Sequence, residues 1–322
     1  MRRRLPFAAC LAFAAAAPAQ TLEELRDTVR DSARATRYPL FVASFLGLTD
    51  ESELSGGRFR IDGDPDTDVS VLTLPLHREW DLGERAPRLL TEANFGYATA
   101  ELEFADLWAG TQPGFETRCN ADFSALAGFV GVGPLFDLGG DWRLAPLAVG
   151  GFAHVQSDAS YEGPGAPVSA ALLDGILFNW DATYAIYGGS VLLRNDGWQW
   201  GSARVLPRLR YDLRRMQPLV VDDPVQDEVS TVQWLVGRLG FEGPTGWQFG
   251  DGGVDWLADV GAKVFDPEAA KALGTGHYFE VGGGLRWACD EALPGLSSAT
   301  LNGAVFYGEN FSGWTLGVSV AF

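Results

Sequence analysis

From Pro39 onward, bulky apolar residues recur at every second position, the period of a strand with one apolar and one polar face. The alternation predicts strands near 39 to 47, 69 to 82, 88 to 104, 121 to 137, 142 to 157, 177 to 193, 198 to 214, 228 to 242, 247 to 265, 277 to 288, 298 to 308 and 312 to 322, about twelve in all. Around Arg204 the two faces separate cleanly. Val205, Pro207, Leu209, Tyr211 and Leu213 point one way, and Arg204, Arg208, Arg210, Asp212 and Arg214 the other. Val254, Trp256, Ala258, Val260 and Val264 likewise oppose Asp255, Asp259 and Lys263, while Phe279, Val281, Leu285 and Trp287 oppose Glu280 and Arg286. Apolar outside and charged inside is the arrangement of a closed barrel in lipid. The expected fold is therefore all-β, a transmembrane antiparallel β-barrel, with Arg204, Arg208, Arg210, Asp212, Asp255, Asp259, Lys263, Glu280 and Arg286 as pore-lining candidates. A lumen carrying both signs should be laced with ion pairs and largely blocked.

The connections give the barrel a direction. Leu138-Gly139-Gly140-Asp141, Asn195-Asp196-Gly197 and Gly243-Pro244-Thr245-Gly246 are short and rich in turn formers, whereas 48 to 68, 105 to 120, 158 to 176, 215 to 227 and 266 to 276 are long. Short and long alternate, with 289 to 297 and 309 to 311 as mild exceptions. Outer-membrane barrels keep short turns in the periplasm and long loops outside. The last strand alternates strictly from Trp314 to Phe322, so a periplasmic Phe322 puts the long loops outside and the N-terminus in the periplasm.

The N-terminal stretch departs from period two. Met1-Arg2-Arg3-Arg4, an apolar run over 5 to 17, and Ala17-Pro18-Ala19 before Gln20 read as a signal peptide cleaved after Ala19. The run is short of the ~20 apolar residues a spanning helix needs, and Cys10 leaves too little apolar sequence before it for a lipoprotein leader. Residues 21 to 37 predict one polar helix, with a Thr21/Glu24 capping box and Glu23/Arg26, Asp27/Arg30 and Asp31/Arg34 pairs. Its thin stripe of Leu22, Leu25 and Val29 suits a helix lying in water or in a wet pore. The expected organisation is a leader over 1 to 19, a helix or plug segment over 20 to 38 and a barrel over 39 to 322.

Composition agrees: 40 Gly and a 12% share of aromatic residues suit crowded strand contacts and interfacial girdles. The formal charge is −18, and loss of the three leader arginines makes it about −21. So acidic a chain is a poor nucleic-acid partner and fits an exterior where divalent cations cross-link anionic lipid. Cys119 and Cys289 survive processing, and the topology places them at opposite ends of the barrel, which argues against a disulfide. No G-x-S-x-G, H-E-x-x-H or Walker motif is present, and His77, His154 and His277 form no dyad visible in the sequence. No cofactor is expected. The run Asp62-Gly63-Asp64-Pro65-Asp66-Thr67-Asp68 has the alternating carboxylates of a weak Ca²⁺ contact, but it lacks an EF-hand's glycine and carries Thr73 where the last glutamate belongs. A solvated outer loop is the preferred reading.

A signal peptide, a polar helix and about twelve strands closing on Phe322, with turns such as Asp196-Gly197-Trp198 and Gly140-Asp141-Trp142, resemble the translocator domain of autotransporters, in the solitary form without a passenger. The resemblance covers roughly 21 to 322. It implies a helix that threads and plugs the pore, a setting of outer-membrane lipid and lipopolysaccharide, and handling by the barrel-assembly machinery through the C-terminal strand. No passenger precedes Thr21, so secretion is not carried over. The expected role is structural or surface-interacting, with at most a narrow pore and no enzymatic activity. An open porin-like channel and a lipid-modifying enzyme using one of the histidines are the alternatives.

Overall fold

The computed structural model describes residues 21–35, 54–62, 67–83, 87–108, 115–250, 252–288 and 297–321. The strands are β1 (Leu54–Ile61), β2 (Thr67–Trp80), β3 (Arg88–Phe104), β4 (Arg118–Gly139), β5 (Trp142–Glu162), β6 (Trp180–Asn195), β7 (Trp198–Trp200), β8 (Ala203–Val221), β9 (Ser230–Phe249), β10 (Gly252–Phe265), β11 (His277–Ala288), β12 (Ser298–Gly308) and β13 (Phe311–Ala321). Among the described residues three helices accompany them: α1 (Leu22–Ala35), α2 (Ala166–Leu173) between β5 and β6, and α3 (Pro267–Leu273) between β10 and β11. None is long and apolar enough to cross a membrane.

All pairings between the strands are antiparallel, and the sheet closes on itself. β1 pairs with β13 through Ile61 opposite Phe311, and β6 pairs directly with β8 through Leu192 opposite Arg210. β7 is a three-residue strand lying only against the start of β8, so twelve strands form the wall. The outward face carries Leu72, Leu74, Phe95, Leu126, Val130, Phe152, Val260, Val281, Leu301, Val305, Leu316 and Val318, all exposed. Trp80, Trp142, Trp198, Trp200 and Trp247 are also exposed, at the end with the tight turns. A continuous apolar band ending in an aromatic girdle is the outer surface of a membrane-spanning barrel.

Three expected boundaries move. The strand expected over 39 to 47 lies outside the described residues, and the first described strand is β1, within the stretch read as a loop. Its polarity is inverted: Phe59 and Ile61 face inward and Arg58 and Arg60 outward, so its pattern does not advertise a lipid-facing strand. Gly313 makes that possible, because a Cβ there would stand 2.4 Å from the Phe59 ring. The expected turn at Gly243 to Gly246 is a bulge inside the hairpin, with the register shift between Val254 and Asp255. Thr245 Oγ1 donates to the Val254 carbonyl at 2.6 Å and accepts from the Trp247 amide at 3.0 Å, and the chain reverses later, past Gly250 at φ +62. The expected strand over 198 to 214 is two pieces, β7 and the longer β8.

At the long-loop end the lumen is filled. Small inward residues, Ala98, Ala100, Ala121, Ala125 and Ala153, leave room for the connection after α2, which turns into the barrel. Ile176, Leu177 and Phe178 are nearly fully buried, and the Phe178 ring packs 5.9 Å from Phe104 and 6.4 Å from both Phe123 and Tyr161. Burial of each such side chain is worth ~1.5–3 kcal/mol, ample reason for this loop to fold inward.

Candidate functional site in the lumen

α1 begins with the expected capping box: the Thr21 amide donates to Glu24 Oε2 at 2.7 Å, and the Glu24 amide to Thr21 Oγ1 at 3.3 Å. It ends at Ala35 and docks at the long-loop end, Val29 and Ala33 joining the same apolar cluster as Phe178. Asp27/Arg30 and Asp31/Arg34 pair at 2.7 and 3.4 Å, but the expected Glu23/Arg26 pair does not form. Arg26 instead donates to the Ala171 and Asp174 carbonyls at 2.7 and 3.0 Å, where α2 leaves its last carbonyls without intrahelical donors. Glu23 turns to Arg30, which also reaches the buried Asp223 carboxylate at 3.0 Å. The Glu23 hydrogen bond raises the Arg30 pKa above its ordinary value against the opposing effect of burial, and Asp27 and Asp223 add to the rise.

Below this apolar closure the lumen is ionic. Fully buried Asp212 accepts from Arg210 Nε at 2.9 Å, from Arg214 Nη2 at 2.7 Å and from the Ser190 hydroxyl. Arg210 Nη1 continues to Glu92 Oε2 at 2.7 Å, on the far side of the lumen. Nearer the tight turns, Glu79 meets Arg88 at 2.8 Å and Arg194 across the lumen, while Arg143 pairs with Asp196 at 3.0 Å and Asp137 at 3.5 Å. Arg204 and Arg286 converge on Glu242, with Asp255 at 2.8 Å from Arg286. Arg238 pairs with Glu280 at 2.5 Å, and Lys263 lies over the Trp234 and Phe265 rings at 5.1 and 5.6 Å.

Of the residues singled out in the sequence, Arg210 and Asp212 thus meet in one cluster, and Arg204, Asp255 and Arg286 in another. Arg208, Lys263 and Glu280 share the wall of a cavity of about 970 Å³, a volume that includes its opening to solvent. Asp259 stands opposite Gly240 and Gly282 and beside the Arg238–Glu280 pair, and a Cβ at Gly282 would stand 2.4 Å from its carboxylate. Sequence reasoning missed Glu79, Glu92, Arg88, Arg143, Arg194, Arg238 and Glu242. Parity could have found several of them: Glu92 alternates with the outward Phe95 and Tyr97, but Leu90 and Asn94 share its face and blur the contrast.

The histidines do not converge. His77 faces the cavity, and His277 stands at the long-loop rim with its ring 5.5 Å from Phe279. His154 faces outward with Nδ1 3.0 Å from Thr183 Oγ1, and among the described residues no hydrogen bond from a third side chain orients that ring. Cys119 is buried at the long-loop end, and Cys289 lies outside the described residues, as does most of the acidic run from Asp62 to Asp68. No group of metal-ligating side chains is found among the described residues.

No family model matches the chain, and no curated protein matches it either. Among solved structures, the translocator domain of autotransporter NalP from Neisseria meningitidis is similar over 94% of this chain and 99% of its own, at 12% identity and a TM-score of 0.49. The β-domain of the Bordetella autotransporter BrkA is similar over 83% and 96%, at 15% identity and a TM-score of 0.46. The CymD monoaromatic hydrocarbon channel is similar over 87% and 90%, at 10% identity and a TM-score of 0.41. Likeness at this level concerns the fold, and the barrel itself stands on its own closed strand register.

Proposed function

We propose that this chain is an integral outer-membrane barrel, exported by a leader over 1 to 19, in which the segment over 20 to 38 helps close the lumen. On this reading it is a structural or surface-interacting protein with at most a narrow pore. The observation that carries the reading is the apolar closure, where Val29 and Ala33 of α1, Leu172 and Leu173 of α2, and Ile176 and Phe178 of the inward loop fill the long-loop end. Cross-lumen bridges such as Arg210 to Glu92 add a second obstruction. The acidic loops would face outward, the apolar band would meet outer-membrane lipid and lipopolysaccharide, and the closing strand would be the assembly machinery's handle. Arg204, Arg208, Arg210, Asp212, Asp255, Asp259, Lys263, Glu280 and Arg286 would line whatever pore remains. No catalytic role is assigned.

The second reading is a solute channel, favoured by the solvent-open cavity beneath the closure. Planar-bilayer recording separates the two. The closed reading expects low conductance that rises when residues 21 to 35 are deleted. High basal conductance, unchanged by the deletion, would reject it in favour of the channel.

A further inference from the structure

A charge on the lipid-facing wall of a barrel is costly at the bilayer midplane and tolerated near its margins. On the outward face Arg58, Arg60 and Arg118 are relieved by carboxylates: Asp68 at 3.1 Å, Asp62 at 3.3 Å and Glu103 at 4.0 Å. Arg215 on β8 is not. Arg214 and Met216 on either side of it are buried on the lumen face, so Arg215 points outward, and it is exposed. Among the described residues no carboxylate pairs with it, and that includes Asp227 and Glu228 in the loop before β9. Its guanidinium lies instead over the Tyr187 ring, 5.9 Å from the centroid. That is inside the ~6 Å reach of cation–π attraction, which occupies none of the N–H donors.

The surroundings supply further donors and an apolar bed. Thr231 stands directly opposite Arg215, and Gln217 follows two residues on along the same face. Among the described residues no hydrogen bond or ion pair engages Arg215, Gln217, Thr231 or Tyr187. A guanidinium with an amide and a hydroxyl beside it matches the oxygens of a phosphate group. Leu213 and the exposed Leu235 lie on one side, and the exposed Leu219 and Val220 on the other. The cation therefore stands within an apolar surface, where a lipid brings its own phosphate. Thr231 is next to the first residue of β9, which places the group at the long-loop margin of the apolar band. Arg78, the comparable arginine at the tight-turn end, lies over Trp80 at 4.1 Å, but its neighbour Thr91 already accepts from Trp80 Nε1 and donates to the Arg78 carbonyl.

We infer that Arg215, Gln217 and Thr231 form a binding site for a phosphate group of an outer-leaflet glycolipid, whose acyl chains lie along Leu213 and Leu235. The inference rests on the outer-membrane reading proposed above, with the long-loop end outward.

The test is native mass spectrometry of the full refolded chain in detergent, with a bisphosphorylated lipid A or the same lipid stripped of its phosphates. Arg215→Gln is compared with Arg58→Gln and Arg78→Gln, and heat-dependent gel mobility checks that each variant folds. Expected is tighter retention of the phosphorylated lipid by about tenfold, the scale of one charge-assisted hydrogen bond. Arg215→Gln should lose that preference, and the two other variants should keep it. Should Arg215→Gln not fold, the thermal midpoint of the unmodified protein with each lipid serves instead, and a higher midpoint with the phosphorylated one is expected. Equal retention of the two lipids overturns the inference, as does an undiminished preference in folded Arg215→Gln or an equal loss in Arg78→Gln. Inorganic phosphate that competes with the lipid at equal concentration overturns the lipid as the source. A chain with no heat-dependent mobility shift, found only in the soluble periplasm, fails the membrane reading itself, whereas a folded outer-membrane barrel indifferent to phosphate fails this inference alone.

Discussion

Arg210 and Glu92 join across the lumen, Nη1 to Oε2 at 2.7 Å, although β8 and β3 are separated in the sheet by three intervening strands. A barrel whose opposite walls touch through an ion pair is braced at that level as well as obstructed. Arg210 keeps Asp212 when Glu92 is lost, so Glu92→Ala should cost only ~1–3 kcal/mol, the usual penalty for one lost charged partner. Urea unfolding in lipid vesicles measures that cost. Single-channel recording of the same variant should show larger or more frequent openings, and a silent variant of unchanged stability would remove Glu92 from both roles.

Asp212 is the more sensitive position. It is fully buried and bonds both Arg210 and Arg214, so Asp212→Ala leaves Arg210 with Glu92 alone and takes from Arg214 its carboxylate partner. Breaking a buried ionic cluster on one side costs ~3–5 kcal/mol. The unfolding midpoint should fall further than in Glu92→Ala, and a smaller fall would mean that water already solvates this level of the lumen.

Gly261 spaces the Arg238–Glu280 pair. It lies between them in the register, and a Cβ there would stand 2.8 Å from Glu280 Cγ. Gly261→Val should displace Glu280 and destabilise the barrel by ~1–3 kcal/mol, the range for overpacking. The urea midpoint of the refolded barrel measures the loss, and an unchanged midpoint would show that Glu280 swings aside without giving up Arg238.

The wall of this barrel was legible because lipid demands alternation, and β8, β10 and β11 show it over most of their length, broken at Leu206, Arg215 and Leu257. β1 was not, since its inward face is the aromatic one and its outward face carries Arg58 and Arg60. The inward fold of Ile176 to Phe178 was hidden for a related reason: three adjacent apolar residues in a loop have no periodicity to betray a lumenal core. The capping box and two helix pairs followed from local spacing, whereas Arg26 found its partners 145 and 148 residues away, beyond any local rule. Single charged residues on the lumen face could be named from parity. That Arg143, Arg194, Arg208 and Arg238 stand in one row across four strands needed the register, because it is a property of strand pairing rather than of any one strand.

A second ladder of like charge runs on the outside. Asp68 stands opposite Glu101, Glu101 opposite Asp122, and Asp122 opposite Asp158, all outward-facing toward the long-loop end of β2 to β5. Arg58 pairs with Asp68 at 3.1 Å and relieves only that end of the row. Asp122 has a carboxylate neighbour on both sides, so Asp122→Asn should stabilise the refolded barrel by ~0.2–1 kcal/mol, the scale of one cross-strand pair. Screening weakens exposed charges separated by several ångströms, so the gain should be largest in dilute buffer and shrink as salt is added, with the unmodified protein responding more to salt than the variant. Thermal unfolding in detergent at two ionic strengths measures both effects. An Asp122→Asn barrel that melts no higher at low salt would show that the row is already neutralised.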